Sequence, residues 1–355
     1  MNHRFLASLF TLTATSIVAV FLPSQAIGQS GLAAVEKAAA SLAPKNWTPP
    51  RTPDGQPDIQ GLYNNGILTP LERPAEFAGK AFFTPEEAAA FEKKVIQQRN
   101  ADRRGTTGEA DLGLAYNDAW WDWGTKVAKT RQTSFVVDPA DGRIPPYTPE
   151  AQRRIAAKAQ AIKERCEHTV CPPAIGGAVP ADGPEDRTYM ERCFLWSTGG
   201  PPMLPSAYNN NYQIVQTRDA VVIRIEMIHD VRIIPLDGRP HVSQNIRELM
   251  GDSRGHWEGN TLVVDTTNFS DQTDFRNAGR NMHLTERFTR VDPDTILYEF
   301  TVDDPTTFTR PWSGAIPMTK TNGPIFEYAC HEGNYGMEGI LSGARAKEKQ
   351  RAGSE

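Results

Sequence analysis

The chain has 355 residues, 39% of them hydrophobic, and a formal net charge of -5. Lysine and arginine are dispersed and no Gly-rich phosphate loop follows a strand, which speaks against a nucleic-acid or nucleotide-binding role. With 27 prolines and 28 glycines the composition is that of a globular protein rich in turns and long loops.

Arg4 gives a positive start, and Phe5 to Leu22 is an apolar run broken by Ser8, Thr11, Thr13, Thr15 and Ser16. Ser24-Gln25-Ala26 then offers small residues for cleavage. The pattern predicts a secretory signal peptide over residues 1–26 rather than an anchor. No later apolar run is long enough to span a bilayer. The expectation is therefore a soluble periplasmic or secreted chain with no membrane span after signal removal.

Residues 27–190 are predicted to be an extended arm, helices and long loops packed on a β-domain. Trp47 to Gly55 holds too many prolines for regular pairing and reads as a wrapping arm. Thr84-Pro85-Glu86-Glu87 opens a helix to about Arg104, with a hydroxyl cap, proline in the first turn and acids on the positive dipole end. A polar stretch from Gly105 to Asp118 follows and ends in Trp120-Trp121-Asp122-Trp123. These indoles cannot all share one face, so they divide between covering the core and lining a pocket. Phe135-Val136-Val137 is a short strand stopped by the turn at Asp138 to Gly142 and by Pro145-Pro146. Thr148-Pro149-Glu150 repeats the capping device and opens a helix to about Arg165.

The cysteines are Cys166, Cys171, Cys193 and Cys330. In an oxidising compartment an even set favours disulfides, and spacing alone does not choose among the connectivities. The preferred pairing is a local Cys166–Cys171 staple with Cys193–Cys330 tying distant strand-like segments. Zinc held by Cys166, His168 and Cys171 is the competing reading, without the paired ligands of structural zinc modules.

Beyond Cys193 the dominant period becomes two. Gln213 to Thr217, Ala220 to Met227, Val231 to Ile234, Thr261 to Thr266, His283 to Arg290 and Thr295 to Val302 read as strands joined by short turns. The fold expected for residues 191–345 is mainly β: an antiparallel meander closed as a lipocalin-like barrel able to hold one small ligand, with a β-sandwich as the alternative. Two or three helices accompany it, and residues 346–355 are expected to form a disordered tail. Val221, Ile223 and Ile225 share one strand face. Arg224 and Glu226 share the other, as do Glu286 and Arg290 on a later strand, facing either solvent or a polar lumen.

Strand ends and loops carry the candidate site, since sites are built on scaffold loops. His229-Asp230 ends one strand and Arg232 follows; Asp237 to His241 is a turn leading into a helix-like stretch; Gly251 to Gly259 is a loop dense in charge and glycine. Tyr328 to Tyr335 adds His331, Glu332 and phenols. A histidine with a carboxylate makes a general base, arginine stabilises developing negative charge, and tyrosine can act as acid. The expected catalytic set is His229, Asp230, Arg232, His331, Glu332 and Glu226. Arg254, His256, Trp257, Tyr335, His241 and Tyr212 are the expected substrate contacts.

No cofactor is required by this chemistry. A metal could be held by His229, His241 and His331 with Glu226 or Asp230. Gly238 to Asn245 partly resembles the second cupin motif, although no upstream His-x-His exists. No Gly-x-Ser-x-Gly elbow is present.

The segments Glu226-Met227-Ile228-His229-Asp230, Gly251-Asp252-Ser253-Arg254, Trp257 to Val264 and Tyr328 to Tyr335 together resemble a large family of exported bacterial proteins with no assigned activity. The resemblance covers roughly Trp47 to Arg345 and implies an exported β-domain. The function expected from the residues is an exported lyase, isomerase or hydrolase acting on a small organic or sugar-like substrate. The alternatives are a periplasmic ligand-binding barrel, with Trp120, Trp121, Trp123, Trp257 and Trp312 lining a pocket, and an envelope structural or interaction module.

Overall fold

Alternating apolar residues build one large sheet. A computed structural model describes residues 29–102, 117–174 and 177–353; the expected signal peptide and most of the Gly105–Asp118 stretch lie outside them. The strands are β1 (Gly61–Asn64), β2 (Val136–Asp138), β3 (Asn211–Gln216), β4 (Ala220–Ile225), β5 (Val231–Pro235), β6 (Asp252–Glu258), β7 (Thr261–Thr267), β8 (His283–Asp292), β9 (Thr295–Asp303) and β10 (Trp312–Lys320). They hydrogen-bond in the order β5-β4-β3-β1-β10-β9-β8-β7-β6, each neighbour antiparallel, with β2 pairing on β10. The result is an antiparallel sheet nearly closed into a barrel.

An odd number of alternating strands cannot close with every pair antiparallel, so β5 and β6 run in the same direction where the sheet ends meet. No hairpin can join them, and the chain returns over residues 236–251. Side chains seal the seam. Arg232 on β5 reaches Ser253 on β6 at 3.2 Å. Beside them β6 carries Gly255, where a Cβ would lie 2.8 Å from both Ile234 and Leu236. Only a residue without a side chain lets β5 and the return segment approach so closely.

Val221, Ile223 and Ile225 face inward and are fully buried. Tyr212, Phe288, Tyr298, Phe300 and Trp312 join them, so the space expected for a ligand is filled by side chains. Each such burial contributes roughly 1.5–3 kcal/mol. Helix α1 (Gln29–Ala40) lays Val35 and Ala39 on Val137, Leu297 and Ala315, burying the outer face of β9 and β10 as well.

Helix α2 (Pro85–Arg99) has the expected capping box: Thr84 Oγ1 accepts from Glu87 N at 3.2 Å and the Glu87 carboxylate accepts from Thr84 N at 2.8 Å. Helix α3 (Pro149–His168) is capped by Thr148, and the Cys166–Cys171 disulfide closes its C-terminal end. Helix α4 (Tyr335–Ala352) is capped by Asn334 and packs Ala344, Ile340 and Leu341 against Val170 and Ala181. Among the described residues no helix is long and apolar enough to cross a membrane.

Several expectations change. The charged loop at Gly251 to Gly259 is strand β6, and the stretch after His241 forms no helix. Strand β1 belongs to the upstream part yet pairs centrally between β3 and β10, so a boundary near residue 190 does not divide the barrel from its covering. Residues 346–352, expected as a disordered tail, are helical because α4 continues to Ala352.

Candidate functional site

The connection from β4 to β5 is a tightly constrained turn. Ile228 and His229 are consecutive residues at φ 60 and 53. A left-handed conformation costs an L-residue about 1–2 kcal/mol, and a β-branched residue rarely adopts it. The turn is held by burial of Met227 and Ile228 and by Glu226, itself 2% exposed. Glu226 Oε1 accepts from Phe326 N at 2.9 Å, and Oε2 accepts from Asn211 Nδ2 at 2.8 Å. Asn211 in turn accepts from Asn64 Nδ2 at 2.9 Å, tying together the adjacent ends of β1 and β3.

His229 projects from this turn. Its Nδ1 lies 2.8 Å from the carbonyl oxygen of Tyr328. A carbonyl only accepts, so Nδ1 carries the proton and Nε2 of the neutral ring keeps its lone pair. His331 stands beside it, ring centroids 5.9 Å apart. The Cys193–Cys330 disulfide anchors the residue before His331. Burial pushes the Asp230 carboxyl up to about 6, against the opposing pull of His229.

Tyr328 also belongs to a cleft of about 330 Å³ lined by Trp120, Trp121, Asn209 and Tyr208. Trp121 stacks on Trp123 at 5.5 Å, and Tyr208 lies 6.1 Å from it. Two hydrogen bonds to the Asp122 backbone zip the loops bearing these rings: Asp122 N donates to Ala207 O at 2.7 Å, and the Asn210 side-chain Nδ2 donates to Asp122 O at 2.6 Å. The Asp122 carboxyl is held above its ordinary range, by desolvation first, with the charge of Glu226 adding to it.

A second set of imidazoles lies on the outer face of β6, β7 and β8. His241 Nδ1 meets Asp252 and Nε2 meets Asp265, both at 2.7 Å. The other Asp265 oxygen bonds His283, and Arg254 pairs with Asp252 at 3.0 Å. Both nitrogens face carboxylates, so His241 bridges Asp252 and Asp265 and neither nitrogen is open to a ligand. The bond that His283 makes to Asp265 raises the His283 pKa. Desolvation opposes ionisation of Asp265, but its two histidine partners prevail and lower its pKa.

The barrel interior holds a third set. Arg232 is 4% exposed and clamps Glu286 through contacts of 3.0 and 2.5 Å. Tyr298 donates to Glu286 at 2.8 Å and accepts from Met203 N at 3.0 Å.

The expected site residues are therefore divided. His229, Asp230, Glu226 and His331 come together, with the exposed Glu332 following His331. Arg232 does not join His229, because alternation along β5 turns it into the core. Tyr212 is buried inside as well. His241 and Arg254 belong to the outer cluster, which removes His241 from any shared metal set with His229 and His331. Among the described residues no group of three or more His, Cys, Asp or Glu is arranged to hold a metal ion. His256 pairs with Glu258 at 3.2 Å, Trp257 packs against the core, and Tyr335 is 78% exposed at the start of α4. Of the tryptophans proposed for a pocket, Trp120 and Trp121 line this cleft and Trp123 lines a neighbouring one with Trp121, whereas Trp312 is fully buried.

Tyr208 and Asn209 escaped sequence reasoning, and their one signal is the polar run Tyr208-Asn209-Asn210-Asn211 before a strand. Asp265 and His283 were hidden among ordinary alternating strand residues, and Glu286, open in the sequence to either solvent or a polar lumen, turns inward. No protein-family model, no curated protein and no solved structure matches the chain.

Proposed function

We propose that the mouth formed by the Glu226–Asp230 turn, His331 and the aromatic cleft is the active site of an exported enzyme using histidine and carboxylate acid–base chemistry on a small organic substrate. The observation that carries this reading is the tautomer of His229. The Tyr328 carbonyl fixes the proton on Nδ1, leaving Nε2 as a base beside a cleft in which Tyr328 is itself a wall. Strain at Ile228 and His229 supports it, since left-handed non-glycine residues persist where surrounding structure and function demand them.

In this mechanism His229 Nε2 takes a proton from the substrate, and the imidazolium so formed is adjacent to Asp230. With a pKa near 6, Asp230 changes protonation close to the working range and can return a proton. Glu226 positions the turn rather than touching substrate. Arg232 has no role here, because its guanidinium is spent on Glu286. The reaction class is that of a lyase, isomerase or hydrolase. The disulfides agree with an oxidising compartment and so with export.

The test is proton NMR of the wild-type protein incubated with pooled small organic acids, sugars and amines. His229→Ala is expected to slow consumption of the transformed compound by about 10²–10⁴-fold while circular dichroism is unchanged. Equal turnover by His229→Ala would sink the assignment. A second reading, binding without turnover, is favoured by the cleft lining, which is aromatic apart from Asn209. Unchanged ligand after long incubation with the wild type would select it.

A further inference from the structure

Among the described residues no lysine or arginine forms an ion pair with Asp122, Glu226 or Asp230, whereas Glu76, Glu87, Glu92, Asp274 and Glu286 each have one. Glu226 is the plainest case. It is almost fully buried, and its oxygens are satisfied by the Asn211 amide and the Phe326 N–H, which stabilise the charge without cancelling it. Asp122 follows Trp121 directly and feels the charge of Glu226. Phe326, bonded to Glu226, lies two residues before Tyr328. Negative charge is thus gathered behind an aromatic surface.

The lining of the cleft fits that charge. Four of its five residues are aromatic: Trp120, Trp121, Tyr208 and Tyr328. Ring faces carry negative quadrupole density and attract cations, most of all the diffuse charge of an alkylated ammonium. The same tryptophan stack already does this once, with the Arg99 guanidinium 4.6 Å over Trp123, the ring on which Trp121 is stacked. The polar groups of the lining are the Asn209 amide, two phenols and two indole N–H groups, all uncharged, so glucose serves as the control ligand.

We propose that the cleft binds an organic cation, its alkylated ammonium head among Trp120, Trp121, Tyr208 and Tyr328 and its charge balanced by Asp122, Glu226 and Asp230. This rests on the reading of the mouth as the ligand site and narrows its substrate to a cationic amine.

The full mature chain, disulfides intact, is titrated with choline by tryptophan fluorescence and calorimetry. The same is done with choline's uncharged isostere, in which a tert-butyl group replaces trimethylammonium, and with glucose. Choline is expected to bind at least about tenfold more tightly than the isostere, with no response to glucose. Trp121→Leu and Tyr208→Leu should each abolish the choline response. Asp122→Asn, which alters no ring and keeps the backbone bonds of the loop, should weaken choline several-fold and leave the isostere unchanged. Equal binding of the isostere, a preference for glucose, or no choline binding by the folded wild type would each overturn the proposal. Loss of choline binding with His229-dependent turnover intact would remove only the cation, and normal turnover by His229→Ala would remove only the acid–base reading.

Discussion

His229 and His241 are the same side chain put to opposite uses. At the mouth, one nitrogen of His229 is held by a carbonyl, the other keeps its lone pair, and the backbone beneath it is strained. On the flank of the seam, His241 is gripped by Asp252 and Asp265 and its segment lies pinned across β6 and β7. Both regions are dense in acids and imidazoles, so composition does not separate them. The partner does: an acceptor on one nitrogen leaves a base, and acceptors on both leave a staple. The seam also has an interior bond, Arg232 with Glu286, of the same structural kind.

If the seam is structural and the mouth is not, the largest loss of stability should come from inside the seam. Glu286→Gln leaves the buried Arg232 charge uncompensated and should cost about 3–5 kcal/mol in urea unfolding. Replacing both partners together, as Arg232→Met with Glu286→Leu, should recover most of it, because no buried charge remains. A cost below about 1 kcal/mol for Glu286→Gln would mean that other contacts hold the seam.

Strand β6 shows why the seam was hard to read in the sequence. Its outward residues are Asp252, Arg254, His256 and Glu258, and its inward ones begin with Ser253 and Gly255, so the period of two is present without an apolar face. Both small residues have tertiary causes: Ser253 receives Arg232, and Gly255 makes room for Ile234 and Leu236. Strand β10 was missed for the opposite reason. Buried on its inner face in the barrel core and on its outer face under α1, it carries no alternation at all. What was legible rested on local physics: the capping of α2 and α3, the alternation at Val221 to Ile225, and the Cys166–Cys171 staple five residues long. The His229, Asp230 and His331 grouping was legible as residues. Their separation from Arg232 depended on which way one strand residue points.

At the mouth the expected signs are reversed, since removing functional groups should stabilise. The Asp230 carboxyl moves from about 4 in the unfolded chain to about 6 when folded. Above the folded value it is ionised in both states and the native state bears the burial penalty. Asp230→Asn should therefore raise stability by about 2 kcal/mol near pH 8. The gain should fade as the pH falls through about 6 and vanish below about 4, where the wild-type carboxyl is protonated in both states. Urea unfolding at both pH extremes checks this, and a gain independent of pH would break the contrast with the seam. His229→Gly, which frees an exposed left-handed position, should add about 1 kcal/mol while eliminating turnover. A destabilised glycine variant would show that the turn is not strained at His229.

The smallest effect belongs to the outer end of the imidazole chain. The bond to Asp265 raises the His283 pKa, so the stability it contributes is full below about 6.5 and is lost as pH rises through the folded value. Asp265 is lowered, so its contribution is full above about 4 and is lost as pH falls through its folded value. The pair therefore helps most between those limits. With the His283 side chain 48% exposed, solvent screening keeps the benefit to about 0.2–1 kcal/mol. His283→Gln should be less stable than wild type near pH 5.5 by that amount, and the two should converge as the pH is raised toward about 8.5 or salt toward about 1 M. The gap for Asp230→Asn opens with pH while that for His283→Gln closes. Opposite slopes from two acid–imidazole neighbourhoods on one barrel distinguish a charge the fold tolerates for chemistry from one it uses as a clasp, and parallel slopes would erase that distinction.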